Sequence, residues 1–136
     1  MNGPLKVLVV EDNPALLKII QRRLERNGFQ IRESRSGDEA LSMVQDAQPD
    51  IILLDMNLPG KNGWSVATEL RSGRSTHQLP IIGVTAHAMP GDRERVIQAG
   101  CDDYVSKPID FGILIKIMHR LIQQQANDDL PPPRIK

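Results

Sequence analysis

The stretch KVLVVEDNP (Lys6–Pro14) joins an apolar run to two acidic residues and a helix-start signal. Its apolar part, Lys6–Val10, is rich in β-branched residues and nearly continuous, which is typical of a strand buried on both faces. We therefore predict a central strand of a parallel sheet. The Asn-Pro pair at the end supplies a cap and a first-turn proline, so a helix follows directly. Glu11 and Asp12 consequently lie at the junction between strand and helix.

Apolar runs of strand length alternate along the chain with longer stretches of helical period. The predicted strands are Lys6–Val10, Phe29–Glu33, Ile51–Leu54, Pro80–Val84 and Asp103–Ser106. The second strand alternates apolar with polar residues, which indicates an edge strand beside the first. This alternation of strands with helices predicts the α/β class, with a parallel sheet covered by helices on both faces.

Helix signals follow each predicted strand. The predicted helices begin at Asn13-Pro14 and at the capping box Ser36–Glu39, and the later ones span about 62–72, 90–99 and 110–125. In a capping box the serine and glutamate side chains each satisfy an exposed amide of the other residue. The chain has 136 residues, the size of one domain. We expect a domain over residues 1–125 and a flexible C-terminal tail over residues 126–136, which lack apolar periodicity.

Composition argues against several classes of function. Lys plus Arg and Asp plus Glu each total 17, so no global field favours nucleic acid or an anionic membrane surface. No apolar stretch approaches the roughly 20 residues of a membrane span, and the acidic residues come too early for a signal peptide. We therefore expect a cytoplasmic protein that binds neither nucleic acid nor membrane. The single cysteine, Cys101, excludes an internal disulfide framework.

Residues suited to phosphate chemistry stand where four of the predicted strands end. They are Glu11 with Asp12, Asp55, Thr85 and Lys107. Because the carboxyl ends of parallel strands share one edge of a sheet, where open α/β folds bind ligands, we expect these side chains in one crevice. A carboxylate directly after a buried strand is costly unless a cation or donors compensate its charge. Carboxylates, backbone carbonyls and water are the ligand set that Mg²⁺ prefers.

This group of side chains predicts phosphoryl chemistry. An aspartate beside Mg²⁺ can attack phosphorus, with the metal and the Lys107 ammonium neutralising phosphoryl oxygens, and the product is an acyl phosphate. A hydrogen bond from the Thr85 hydroxyl to the new phosphoryl group would pull the loop that follows Thr85 inward. Taken singly, each residue has an ordinary structural explanation: Glu11 and Asp12 start a helix, and Thr85 and Lys107 end strands. Their common position at the ends of the strands favours one shared site over these separate explanations.

Five segments carry a resemblance to a known family. They are VVEDN (9–13), LLDMNLPG (53–60), Gly63, VTA (84–86) and GCDDYVSKP (100–108). In this order and spacing, the chain resembles the receiver domain of two-component response regulators over residues 5 to 125. The resemblance implies a doubly wound, flavodoxin-like sheet of five parallel strands in the order 2-1-3-4-5, with five helices.

The resemblance also implies roles for individual residues. Asp55 is then the phosphoacceptor; Glu11, Asp12, Asp55 and the backbone carbonyl of Asn57 bind Mg²⁺; Thr85 and Lys107 contact the phosphoryl group; Thr85 and Tyr104 form the switch; and the Lys107-Pro108 bond is cis. Glu11 stands where many members have aspartate, which lengthens the reach to the metal and keeps the charge. The alternative for Tyr104 is a ring that merely packs at the end of a strand.

The implied function is a phosphoacceptor receiver of a two-component or phosphorelay system. It takes a phosphoryl group from a histidine kinase or a histidine phosphotransfer protein and signals to a downstream protein through the surface of helix 4, strand 5 and helix 5. It catalyses only its own phosphorylation and dephosphorylation. A receiver excised from a hybrid histidine kinase and a non-phosphorylated pseudo-receiver adaptor are alternatives within the family.

Two further classes of protein share parts of the pattern. A phosphohydrolase with an Asp-x-Asp motif needs a second carboxylate as a general acid, and Asn57 stands in that place. A flavodoxin-type flavin carrier would have the same sheet topology. An absorbance spectrum separates the flavin carrier from the receiver.

Overall fold

The computed structural model describes residues 3–86 and 89–128, and in them five strands alternate with five helices. The elements are β1 (Lys6–Val10), α1 (Pro14–Arg26), β2 (Gln30–Ser34), α2 (Gly37–Asp46), β3 (Ile51–Asp55), α3 (Gly63–Ser72), β4 (Ile81–Thr85), α4 (Asp92–Ala99), β5 (Asp103–Ser106) and α5 (Phe111–Asp128). All strand pairs are parallel, in the order β2-β1-β3-β4-β5. The predicted fold class and strand order are confirmed. β3 is the middle strand, and β1 lies inside the sheet between β2 and β3.

Two apolar layers enclose the sheet. Val7 and Val9 of β1 pack towards α1 and α5, whereas Leu8 and Val10 pack towards α2, α3 and α4. Every residue of β3 and β4 is buried, which explains why these strands read as continuous apolar runs in the sequence. Among the described residues, no helix combines the length and apolar character that crossing a bilayer requires.

Several element boundaries differ from the prediction by a few residues. β2 begins one residue later than expected, because the Phe29 amide donates to the Leu24 carbonyl (3.2 Å) and its buried ring belongs to the core. α4 begins at Asp92 and not at Pro90, because Gly91 before it has a left-handed φ of 90°. α5 continues to Asp128, past the predicted end at residue 125. The rest of the expected tail, 129–136, lies outside the described residues.

Side-chain caps start the helices that flank the sheet edge. The Asn13 side-chain oxygen accepts from the amides of Ala15 (3.0 Å) and Leu16 (3.3 Å), as the sequence predicts for α1. At α2 the Ser36 hydroxyl accepts from the Glu39 amide (3.2 Å). The Glu39 carboxylate accepts from the amide of Arg35 and not from that of Ser36, so the cap reaches one residue further back than a standard capping box.

A group of hydrogen bonds around Arg71, at the amino-terminal ends of the strands, was not predicted from the sequence. The Arg71 guanidinium on α3 donates to the carbonyls of Leu79 (2.7 Å) and Gly100 (2.6 Å) and pairs with Asp102 (2.5 Å). Asp102 also accepts from the Ile81 amide (2.8 Å) at the start of β4. Burial raises the pKa of Asp102, while the Ile81 amide and Arg71 oppose that shift. This cluster joins α3 to the starts of β4 and β5.

Gly63 allows α3 to begin directly against the end of β3. Its amide donates to the Met56 carbonyl at 3.2 Å. A Cβ at this position would lie 2.4 Å from the Asp55 carbonyl oxygen and 2.6 Å from the Met56 Cα. Because both contacts are with backbone atoms, any larger residue must displace either the helix or the strand end.

We predict that Gly63→Ala lowers the free energy of unfolding by about 2 to 3 kcal/mol, because the added methyl overpacks a backbone contact. Urea unfolding followed by circular dichroism measures the change. Ser65→Ala, at an exposed position of the same helix, is the control and should stay within about 0.5 kcal/mol of the wild type. An unfolding midpoint for Gly63→Ala equal to that of the control would contradict the close approach.

Candidate functional site

The strand register brings four polar positions to the carboxyl edge of the sheet. Asp55 and Thr85 are the last residues of β3 and β4, while Glu11 and Lys107 directly follow β1 and β5. Asp55 is paired with Val84, and Thr85 with Ser106, so the strand ends lie level with one another. The edge predicted from the sequence is therefore the edge at which these side chains lie.

Three carboxylates form a cluster at this edge. Glu11, Asp12 and Asp55 each offer an oxygen atom, and these atoms all lie within 4.8 Å of one another. Glu11 and Asp55 are each only 2% exposed, and Asp12 is partly buried. Carboxylates this close and this buried repel one another, so the cluster favours a bound cation.

The ammonium of Lys107 lies between two of these carboxylates. Its Nζ is 3.2 Å from Glu11 Oε1 and 3.3 Å from Asp55 Oδ2. The Lys107 amide donates to the Thr85 carbonyl at 2.8 Å, so the hydrogen bonding of β4 with β5 continues to the residue after β5. The peptide bond between Lys107 and Pro108 is cis. The lysine therefore supplies a positive charge directly beside Asp55.

Backbone amides orient two of the carboxylates. The Asn57 amide donates to Asp55 Oδ1 at 2.9 Å, and the Asn13 amide donates to Glu11 Oε2 at 3.0 Å. Each carboxylate thus has one oxygen bound by a backbone amide and the other facing Lys107. Such contacts hold the side chains in a single orientation before any ligand binds.

A comparison with known protein families shows to which family a chain with this site belongs. The family of the response regulator receiver domain matches residues 7–119. The chain belongs to this family. It is 41% identical over 113 residues to the polar-differentiation response regulator DivK of Brucella anthropi, an alignment that covers 83% of this chain and 92% of that protein. The chain is thus a receiver domain of the response regulator type, and it belongs to two-component signalling.

Solved structures are similar to this receiver domain over most of its length. The receiver domain of sensor histidine kinase PA1611 from Pseudomonas aeruginosa is 35% identical with a TM-score of 0.82, over 89% of this chain and 99% of that chain. That structure has a magnesium ion coordinated in its active site cleft. The receiver domain of the Francisella response regulator 1452 is 27% identical with a TM-score of 0.83, over 89% of this chain and 98% of that chain.

The donor atoms of the receiver site fit a magnesium ion. All three clustered side chains offer carboxylate oxygens, which are hard ligands of the kind that Mg²⁺ binds. The cluster carries three formal negative charges against the single positive charge of Lys107. A divalent cation would therefore balance the remaining charge. The acidic cluster that the sequence predicts is present. The role of the Asn57 backbone carbonyl as a ligand of Mg²⁺ stays a prediction.

The two predicted switch residues lie on β4 and β5. Thr85 is 6% exposed, and its carbonyl accepts from the Lys107 amide. Tyr104 lies on β5 opposite Gly83, is partly exposed, and packs against the apolar layer below α2, α3 and α4. Its role in switching stays a prediction, as does the alternative that its ring only packs at the end of a strand.

Sequence reasoning missed Arg35. This residue directly follows β2, and its Nη2 donates to the Asp12 carbonyl at 3.3 Å. Its place in the sequence could have revealed it. A basic residue that directly follows the outer strand β2 lies near the carboxyl ends of the strands, where the carboxylates also lie. A long side chain that binds a backbone carbonyl leaves no further pattern in the sequence.

Burial and charge shift the pKa values of Glu11 and Lys107. Burial raises the pKa of Glu11 above 4.5, the Asp55 charge raises it further, and the Asn13 amide and Lys107 oppose both. Burial alone would lower the pKa of Lys107, but the charges of Asp55 and Glu11 outweigh it and the pKa lies above 10.5. The stability from the lysine charge is thus present below pH 10.5 and is lost as the pH rises through the raised pKa.

We predict that Lys107→Met raises the pKa of Glu11 further, because the substitution removes an ammonium 3.2 Å from Oε1. An NMR titration of the Glu11 carboxyl carbon, in metal-free buffer, measures the shift. Lys116→Met removes the same charge from an exposed position on α5 and should leave the pKa of Glu11 unchanged. A Glu11 pKa in Lys107→Met at or below the wild-type value would rule out the ion pair.

Proposed function

We propose that this receiver domain accepts a phosphoryl group on Asp55 from a phosphohistidine of a histidine kinase or a histidine phosphotransfer protein. One observation carries the proposal: the buried Asp55 carboxylate lies 3.3 Å from the Lys107 ammonium and belongs to the acidic cluster. The magnesium ion in the Pseudomonas aeruginosa receiver domain supports the same cofactor here. Similarity to DivK favours a response regulator over the receiver of a hybrid kinase.

The proposed transfer uses the chain's own side chains to orient the reacting groups. A carboxylate oxygen of Asp55 attacks phosphorus, the P–N bond of the donor breaks, and its electron pair leaves with the imidazole. The Lys107 ammonium pairs with a phosphoryl oxygen. Glu11, Asp12, Asp55 and the Asn57 carbonyl hold Mg²⁺, which neutralises charge on the phosphoryl oxygens when bound. Water later cleaves the acyl phosphate, so the domain turns over only its own phosphoryl group.

The phosphoryl group would act as a signal through the ends of β4 and β5. It adds charge beside Lys107 and offers acceptor oxygens to the Thr85 hydroxyl. The hydrogen bond between the Lys107 amide and the Thr85 carbonyl couples the two strand ends. Val96 is the one fully buried residue of α4, so this helix is weakly held and suited to move. We propose that a downstream protein reads the change on the surface of α4, β5 and α5, with Tyr104 as part of the switch.

The pseudo-receiver alternative is disfavoured by the intact cluster. Asp12, Asp55 and Lys107 are all present, and the Lys107 ammonium already lies against Asp55. A turnover phosphohydrolase is disfavoured because Asn57 has no titratable proton to supply as a general acid. We further propose that the domain works in the cytoplasm, as a member of the response regulator receiver family.

We predict that acetyl phosphate with Mg²⁺ adds one phosphoryl group to the wild-type chain, because the small donor needs only the acceptor and its cations. Intact-mass spectrometry measures the gain. Asp55→Asn removes the nucleophile and should give no adduct, whereas Asp46→Asn, at an exposed position on α2, should be labelled like the wild type. Full labelling of Asp55→Asn would reject the assignment of the phosphoacceptor.

We predict that Lys107→Ala keeps the fold and weakens the response to phosphorylation, because the phosphoryl group loses its charged partner directly after β5. The measurement is the change in amide chemical shifts across α4, β5 and α5 after addition of acetyl phosphate and Mg²⁺. We expect changes several-fold smaller than in the wild type or in the control Lys116→Ala. Wild-type changes at equal phosphorylation would contradict the proposed contact.

A further inference from the structure

The carbonyl of Asp12 lies just outside the hydrogen-bond ladder of α1. The first helical bond runs from the Leu17 amide to the Asn13 carbonyl at 2.9 Å. The Leu16 amide, which stands four residues after Asp12, donates instead to the Asn13 side chain at 3.3 Å. The helix therefore supplies no donor to this carbonyl, which is open to water or to another side chain.

Arg35 supplies a donor from the neighbouring turn. Its Nη2 lies 3.3 Å from the Asp12 carbonyl oxygen. The guanidinium is anchored to a well-held backbone, because the Arg35 amide donates to Glu39 Oε1 at 3.0 Å. The Glu11 amide donates to the carbonyl of Ser34, the last residue of β2, at 2.9 Å, which extends the pairing of β1 with β2 by one residue. The acidic loop after β1 is thus bound both to the end of β2 and to the turn that follows it.

We propose that Arg35 is a positioning residue for the magnesium site. The carbonyl carbon and the side chain of Asp12 are attached to the same Cα, so a guanidinium that holds the carbonyl restrains the direction of the Cα–Cβ bond from which the carboxylate extends. Arg35 would keep the Asp12 carboxylate in the cluster with Glu11 and Asp55. This inference rests on the proposed function, in which Asp12 is a ligand of Mg²⁺.

The direction in which the Mg²⁺ affinity changes when Arg35 is neutralised distinguishes a positioning role from simple charge repulsion. A positive charge near a cation site weakens Mg²⁺ binding, so repulsion alone predicts that neutralising Arg35 strengthens the binding. Positioning predicts the opposite change. Arg35 is exposed, and at an ionic strength of about 0.15 M the Debye length is about 8 Å, so screening reduces the repulsion more than it reduces a direct hydrogen bond.

The experiment measures the Kd of Mg²⁺ by isothermal titration calorimetry on the full chain at that ionic strength, with no phosphodonor. We expect Arg35→Gln to raise the Kd by about 3- to 10-fold, the scale of one ordinary hydrogen bond at an exposed position. Arg35→Lys keeps a cationic donor and should recover at least part of the affinity. Arg32→Gln is the matched control, because Arg32 lies nearby on β2 and its guanidinium donates to the Ala47 carbonyl at 2.9 Å and not to the acidic loop. It should leave the Kd unchanged.

A Kd for Arg35→Gln that equals or falls below the wild-type value overturns the inference. Equal Kd values for Arg35→Lys and Arg35→Gln also overturn it, because the lysine then gives no rescue. Absence of Mg²⁺ binding by the wild type overturns the proposed cofactor together with the inference. Wild-type binding with an unchanged Arg35→Gln overturns the inference alone.

Discussion

The crowding of three carboxylates beside one ammonium is the constraint on which this receiver domain depends. Two like charges about 4 Å apart repel by about 4 kcal/mol at an effective dielectric of 20. The oxygens of Glu11, Asp12 and Asp55 lie within 4.8 Å of one another, and Lys107 contacts two of the three residues. The three carboxylates and the ammonium together still carry two net formal negative charges. The site is therefore suited to a divalent cation.

The surrounding fold holds this unfavourable arrangement in place. The apolar layers on both faces of the sheet stabilise the strands, so their ends stay level even where like charges meet. Local contacts then set each side chain: amides of Asn13 and Asn57 bind the carboxylates, and Gly63 lets α3 begin against the Asp55 backbone. The turn after β2 holds the acidic loop from the other side. Rigid support of this kind is what a site needs to bind ligands without rearranging.

Much of the fold was predictable because its signals are local. Continuous apolar runs marked β3 and β4, and the alternating run marked β2 as an edge. The resemblance to receiver domains supplied the strand order. The sequence misplaced the start of β2, because Phe29 is apolar whether it lies in a strand or caps the end of α1. The hydrogen bonds of Arg35 and Arg71 were not predictable, since a long side chain can reach many carbonyls and only the packed chain selects among them.

By itself, the sequence determined the α/β class and the presence of phosphate-binding residue types at the ends of four strands, because periodicity and strand-end position are properties of short segments. Only the tertiary structure decided which charges meet. Asp55 and Lys107 stand 52 positions apart, and their contact at 3.3 Å depends on the register between β3, β4 and β5. Register is set by pairing and packing over the whole sheet, so no short segment of the sequence contains that information.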